Sequence, residues 1–175
     1  MIIETKTSQH YTLRKYQDSD LNDLFILMNN QEVNLYLSWF VHNTVLDTKR
    51  YIEEVKSNQD CFYVIEDNKK QRVIGFVTLS HIDEWHSHGE LEYALLSGYW
   101  GKGIIADIFE EFVREIKQQH FENIYAKNNV ENKRSERVLE KIGMIYSYQS
   151  HELFKPKNIP VAFQYYQLDI KNYSF

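Results

Sequence analysis

The sequence predicts one mixed-sheet domain, α/β at its centre and α+β overall, with seven strands, mostly antiparallel, flanked by helices. Three observations carry this. A strand-like run over residues 91–96 feeds through Tyr99-Trp100-Gly101-Lys102-Gly103 into a long helical pattern. In that pattern Ile105, Ile108, Phe109, Phe112, Val113 and Ile116 fall on one face of a 3.6-residue repeat. A further short strand, 123–127, follows the helix, so strand, helix and strand make a right-handed parallel crossover. Upstream, the runs 61–66 and 72–82 flank the polar turn Asp67-Asn68-Lys69-Lys70-Gln71 and read as an antiparallel hairpin.

The remaining elements follow in chain order. Residues 12–16 can form a first strand. Asp18 or Ser19 then caps a helix carrying Leu21, Leu24, Phe25 and Met28 on one face. Residues 33–40 are apolar without a clean period and fit a short helix plus a loop. There Trp39 and Phe40 suit either the wall of a substrate cleft or plain core packing. Thr44 with Asp47 forms a capping box that opens a helix running to about residue 58. Gly75, inside a strand, marks a bulge or a close backbone approach. Residues 81–89 read as a polar loop, and the long helix runs from Ile104 to near Gln119. A short helix over 131–142 begins near Val130 or Asn132 and is stopped by Gly143. Two last strands, 144–154 and 161–170, are separated by a loop holding both prolines.

The chain has 175 residues, enough for one domain, here 1–175, with a sizeable core. Its net charge of −5 gives no footprint for nucleic acid and weakly favours cationic partners. The single cysteine, Cys61, cannot form an internal disulfide and suits a reducing cytosol. No signal peptide and no membrane-spanning run is expected, so the protein is read as cytoplasmic.

Two glycines where a strand meets a helix allow a tight turn and leave the helix mouth bare of side chains. The first-turn N–H groups have no partner within the helix, and the helix dipole draws an anion to them. The joint therefore reads as a phosphate cradle or as a tight turn with glycines for steric reasons. A dinucleotide fold is disfavoured: Ala106 can supply the third small residue, but only one βαβ unit is present. The P-loop signature Gly-Lys-Ser/Thr is absent. His86 and His88, with Asp83, Glu84 and Glu90 nearby, read as a solvated loop, and no metal is assigned. Glu90 and Glu92 share one face of a central strand. Two carboxylates there either face solvent or include a general base of raised pKa.

The order strand, Tyr-Trp-Gly-Lys-Gly, helix, strand, then Asn132-Lys133-Arg134-Ser135-Glu136-Arg137-Val138-Leu139-Glu140-Lys141-Ile142-Gly143-Met144, resembles the Gcn5-related N-acetyltransferases (GNAT). The closer resemblance is to the branch that acetylates ribosomal-protein N-termini, and it covers the chain from Thr12 to Ile170. It implies parallel strands that splay apart around Leu95 and Tyr125, with acetyl-CoA in the gap. The pyrophosphate would rest on N–H groups of Trp100, Gly101, Lys102, Gly103, Ile104 and Ile105. The pantetheine arm would pair with strand-edge groups near Leu95, Leu96 and Ser97. Asn132 and Ser135 match the family's Asn-x-x-Ser, near the pantetheine and the sulfur. Four residues depart from the pattern. Ile105 replaces a Gly or Ala, Trp100 a Gln or Arg, Glu92 a small residue and Met144 an aromatic.

By the same resemblance, the reaction would be direct acetyl transfer to an amine. Glu152 would be the general base, with Glu92 and then Glu90 as alternatives. Ser135 would protonate the departing thiolate, and an N–H near Leu96 would polarise the thioester carbonyl. The implied acceptor is a protein N-terminal α-amine. A polyamine or other small amine is the alternative, and a non-catalytic acyl-CoA-binding module is the reading from another class. Relatives also point to a homodimer.

Overall fold

The computed structural model describes residues 5–6, 10–58, 61–83, 85 and 87–175. Eight strands form one sheet: β1 (Thr5–Lys6), β2 (Tyr11–Lys15), β3 (Cys61–Asp67), β4 (Arg72–Asp83), β5 (His88–Leu95), β6 (Asn123–Asn129), β7 (Ile145–Phe154) and β8 (Ile159–Asp169). Their order is β1-β2-β3-β4-β5-β6-β8-β7. Seven are the expected strands, and β1 adds a two-residue ladder at one edge. All neighbours pair antiparallel except β5 and β6. Four helices accompany them: α1 (Leu21–Asn29), α2 (Val45–Ser57), α3 (Ile104–Gln118) and α4 (Lys133–Lys141).

Each face of the sheet has its own core. On one face α1 and α2 bury Leu24, Leu27, Met28, Ile52 and Val55 against Val64, Phe76 and Ala94. On the other, α3 buries all six residues of its predicted stripe, and Ile104, against Val77, Leu91 and Ile124. Fully buried side chains such as Phe109 and Phe112 contribute roughly 1.5–3 kcal/mol each through burial. The α1–α2 layer ends over β5. Over β6, β8 and β7 that face carries polar and aromatic side chains instead.

Several expectations need correction. The start of α1 is fixed by Asp20, not by Asp18 or Ser19. The Asp20 carboxylate accepts the Gln17 N–H at 2.8 Å and pairs with Arg14. The buried stripe of α1 is Leu24, Leu27 and Met28, while Leu21 and Phe25 are only half-buried. Residues 33–40 form turns with no helix. Their missing period reflects a chain that wraps the core, with Trp39 packed on Tyr51 and Phe76. The 81–89 loop is tighter than expected because β4 and β5 extend into it. The capping box of Thr44 and Asp47 is present. Gly75 meets both expectations. Ile65 pairs with Gly75 but Glu66 with Val73, which makes a bulge. A Cβ on Gly75 would also lie 2.4 Å from the Ala94 carbonyl oxygen.

Candidate active site

The site begins where β5 and β6 part. Only His88, Gly89 and Glu90 pair with β6, opposite Asn123, Ile124 and Tyr125. Beyond Glu90 the strands diverge and the edge of β5 is left open. The Leu96 N–H donates to the Ile74 carbonyl at 2.9 Å, which makes Leu95 and Gly75 a non-hydrogen-bonded pair. By alternation, Tyr93 and Leu95 turn their N–H and C=O groups towards the gap. The expected edge therefore shifts by a residue or more. Leu96 has spent its amide on β4, and the Ser97 carbonyl accepts the Trp100 N–H at 3.1 Å. The Leu95 carbonyl already accepts the Trp100 indole N–H at 2.8 Å, which leaves its N–H facing the gap.

At the mouth of α3, Gly101 and Gly103 have φ of 72° and 76°, a region that only glycine adopts without strain. Gly103 is the N-cap and brings no side chain to the amides. The N–H groups of Gly101, Lys102, Gly103, Ile104, Ile105 and Ala106 find no protein acceptor among the described residues, and the first such bond is Asp107 N–H to the Gly103 carbonyl. Trp100 drops out of the expected set because its amide is bonded to Ser97. The Ile105 side chain points into the core, 4 % exposed, so it does not crowd the mouth. Cations surround the opening. The Lys141 ammonium lies 3.1 Å from where a Cβ on Gly103 would stand. The Arg134 guanidinium stacks 3.6 Å over the Trp100 ring, and Lys102 lies 5.1 Å from the Tyr99 ring centre. Bare amides, a helix dipole and these cations fit a diphosphate.

α4 presents Ser135 to the gap from behind. Asn132 caps this helix, its side chain accepting the Ser135 N–H at 3.2 Å. Asn132 is thus the N-cap of α4. The Tyr93 hydroxyl reaches from β5 to the Ser135 hydroxyl at 2.8 Å.

On the opposite face lies a cluster of carboxylates and phenols. Alternation turns Glu90 and Glu92 of β5, Tyr125 and Lys127 of β6, and Tyr165 of β8 to this side, since Ile124, Ala126 and Tyr166 belong to the α3 core. A bulge in β7 between Tyr146 and Tyr148 brings Glu152 to the same side. Glu152 accepts hydrogen bonds from the Lys127 ammonium and the Tyr165 hydroxyl. Tyr148 stacks on Tyr165, ring centres 4.5 Å apart. Glu92 accepts from Ser38 at 2.8 Å and from Ser80 at 3.2 Å. Glu90 lies 3.2 Å from His81 Nδ1. Beside the cluster, the 31–43 loop and the end of β7 bound a cavity of about 420 Å³.

The carboxylates are not equivalent. Burial first, and the Glu92 charge second, push the Glu90 carboxyl up to about 7, against the opposing pull of His81 and Lys127. Burial raises Glu152 too, but its bonds from Lys127 and Tyr165 and the Lys127 charge outweigh that and hold it below the usual range. The structure thus brings Glu90, Glu92 and Glu152 onto one face. Ser135 and the bare amides at the α3 mouth lie on the other, and the gap between β5 and β6 connects the two.

Tyr93, Lys127, Tyr165, Arg134 and Lys141 did not emerge from the sequence. Two signals were present: Lys127 alternates with Tyr125 as Glu92 does with Glu90, and Arg134 and Lys141 lie seven residues apart on one helix face. Asp83 ends β4, while Glu84 and His86 lie outside the described residues. Among the described residues no group of three metal-ligating side chains occurs, and no helix is long and apolar enough to cross a membrane.

The geometry can be set beside known proteins. An acetyltransferase (GNAT) domain model matches residues 10–145. No curated protein matches the chain. Among solved structures, the chain is similar to a spermidine N-acetyltransferase from Vibrio cholerae in complex with CoA and spermine. That match has a TM-score of 0.81 and 20 % identity over 93 % of this chain and 96 % of that one. It is also similar to a Salmonella typhimurium acetyl transferase that modifies the N-terminal serine of ribosomal protein L7/L12 (TM-score 0.82, 15 % identity, 94 % and 97 % covered). A third is the microcin C7 self-immunity acetyltransferase MccE in complex with acetyl-CoA and AMP (TM-score 0.81, 19 % identity, 95 % and 96 % covered). The family match spans most of the chain and takes in both the glycine joint and the Asn-x-x-Ser helix. The chain belongs to the acetyltransferase (GNAT) family and is an N-acetyltransferase.

Proposed function

We propose that the enzyme transfers the acetyl group of acetyl-CoA to the α-amine of a polypeptide N-terminus. The diphosphate is held by the amides of Gly101 through Ala106, with Arg134 and Lys141 at the rim. The pantetheine arm runs along the open edge of β5, pairing with Tyr93, and Asn132 holds the start of α4 beside it. The Leu95 N–H takes the oxyanion-stabilising role first expected of Leu96, whose amide is already bonded. The amine approaches from the carboxylate face, so attacking nitrogen and thioester meet in the gap.

An ammonium cannot attack, so a base must take its proton. An α-amine, with pKa about 8, gives it up far more readily than a lysine at about 10.4. Glu90 is the proposed base, directly or through water, because its carboxyl titrates near neutral pH. Glu152, first expected in that role, is bound by Lys127 and Tyr165 and is better suited to holding the charge pattern of the site. Glu92 orients the 31–43 loop through Ser38. Ser135 gives its hydroxyl proton to the departing thiolate.

The observation that carries the α-amine reading over a polyamine is Lys127. Its ammonium neutralises Glu152 and so leaves one carboxylate fewer to hold the second ammonium of a polyamine. The adjoining cavity is lined by amides such as Asn34, by aliphatic and aromatic side chains and by Lys157, with no carboxylate, which suits a peptide chain following the amine. The test is release of free thiol from acetyl-CoA against a panel of amines. Peptides with free N-termini should give kcat/KM at least about tenfold above spermidine. A preference for spermidine would reverse the assignment, and no thiol release with any amine would return the chain to a binding module.

A further inference from the structure

The Tyr93 phenol reaches from β5 to α4. It projects from β5 among side chains packed on the α3 core, and its hydroxyl lies 2.8 Å from Ser135 Oγ and 3.3 Å from the Ser135 carbonyl oxygen. A serine hydroxyl has one hydrogen and free rotation, so left alone it points wherever the nearest acceptor lies. We propose that Tyr93 is a positioning residue: its hydroxyl donates to Ser135 Oγ and so turns the serine hydrogen towards the sulfur of the departing CoA. Burial raises the phenol's pKa, so Tyr93 remains a donor throughout the working range.

The proposal rests on the reading of Ser135 as proton donor, and it balances. The nitrogen–carbon bond forms, the C–S bond breaks, and its electron pair leaves on sulfur. Sulfur takes the Ser135 proton. Ser135 recovers one from the new amide nitrogen, which sheds its second proton in that step. Tyr93 keeps its own throughout and only fixes the geometry.

The test is a double-mutant cycle of Tyr93→Phe and Ser135→Ala, with the thiol pKa of bound CoA followed by thiolate absorbance. Y93F should lower kcat by about tenfold, the value of one hydrogen bond, with KM for acetyl-CoA and the Kd of CoA unchanged. It should raise the thiol pKa of bound CoA and have no further effect on kcat in the S135A background. An equal loss in both backgrounds, or wild-type kcat in Y93F beside an impaired S135A, overturns the role of Tyr93. If S135A alone is fully active, the Ser135 and Tyr93 roles fall together while acetyl transfer stands. Unchanged CoA binding by both variants shows that they are folded.

Discussion

The two faces of the sheet meet at one gap but are built on different principles. The face proposed for the acetyl donor is made of backbone: six amides freed by two glycines and a helix start, between residues 101 and 106. The face proposed for the amine acceptor is made of side chains from four strands, and its charges are set by one another. A backbone site changes only when the chain path changes. A side-chain site can be retuned one residue at a time.

The sharpest way to break this contrast is on the acceptor face. Glu90→Gln should lower kcat on a good peptide acceptor by roughly 10²–10⁴-fold, while Glu152→Gln should cost no more than about tenfold. Steady-state kinetics on the two variants decides it, and a reversed order would restore Glu152 as base. In the wild type, kcat/KM should rise with pH through about 7 as Glu90 ionises, and E90Q should lose that limb.

On the donor face, Gly103→Val forces a β-branched side chain into positive φ and towards Lys141. The strain is roughly 1–3 kcal/mol, so the Kd for CoA should rise about 5- to 150-fold if the loop yields. Titration calorimetry reads this directly. The acceptor-face variants should leave that Kd within about twofold, as expected for sites without shared partners.

A smaller effect sharpens the comparison through stability. The folded-state pKa of Glu90 lies above its unfolded value of 4.5, so between the two the folded protein binds more protons. Its contribution is present at low pH and is lost as pH rises through about 7. The Tm of E90Q should therefore gain on wild type between about pH 5 and about pH 8.

The same contrast explains what could be read from sequence. The α3 mouth was legible because glycines at a strand–helix joint and a 3.6-residue stripe are local signals, and both the helix and its bare amides lie where residues 101–116 put them. The three acidic residues were also found, Glu90 and Glu92 by alternation and Glu152 by resemblance. The difference in their surroundings was not legible. It depends on Lys127 and Tyr165, which reach Glu152 only because a bulge near Tyr146–Tyr148 shifts the register of β7. The bond that spends the Leu96 amide likewise runs to Ile74, twenty-two residues away, beside a bulge whose partner no local pattern names.

The central claim is that the Gly101–Ala106 amides grip the CoA diphosphate while the β5 edge takes its pantetheine arm. Amide-resolved NMR during a titration with CoA tests it most directly. The account predicts the largest shifts at residues 101–106, Tyr93 and Leu95, with Leu96 little moved. Saturable CoA binding that left residues 101–106 unshifted would contradict it.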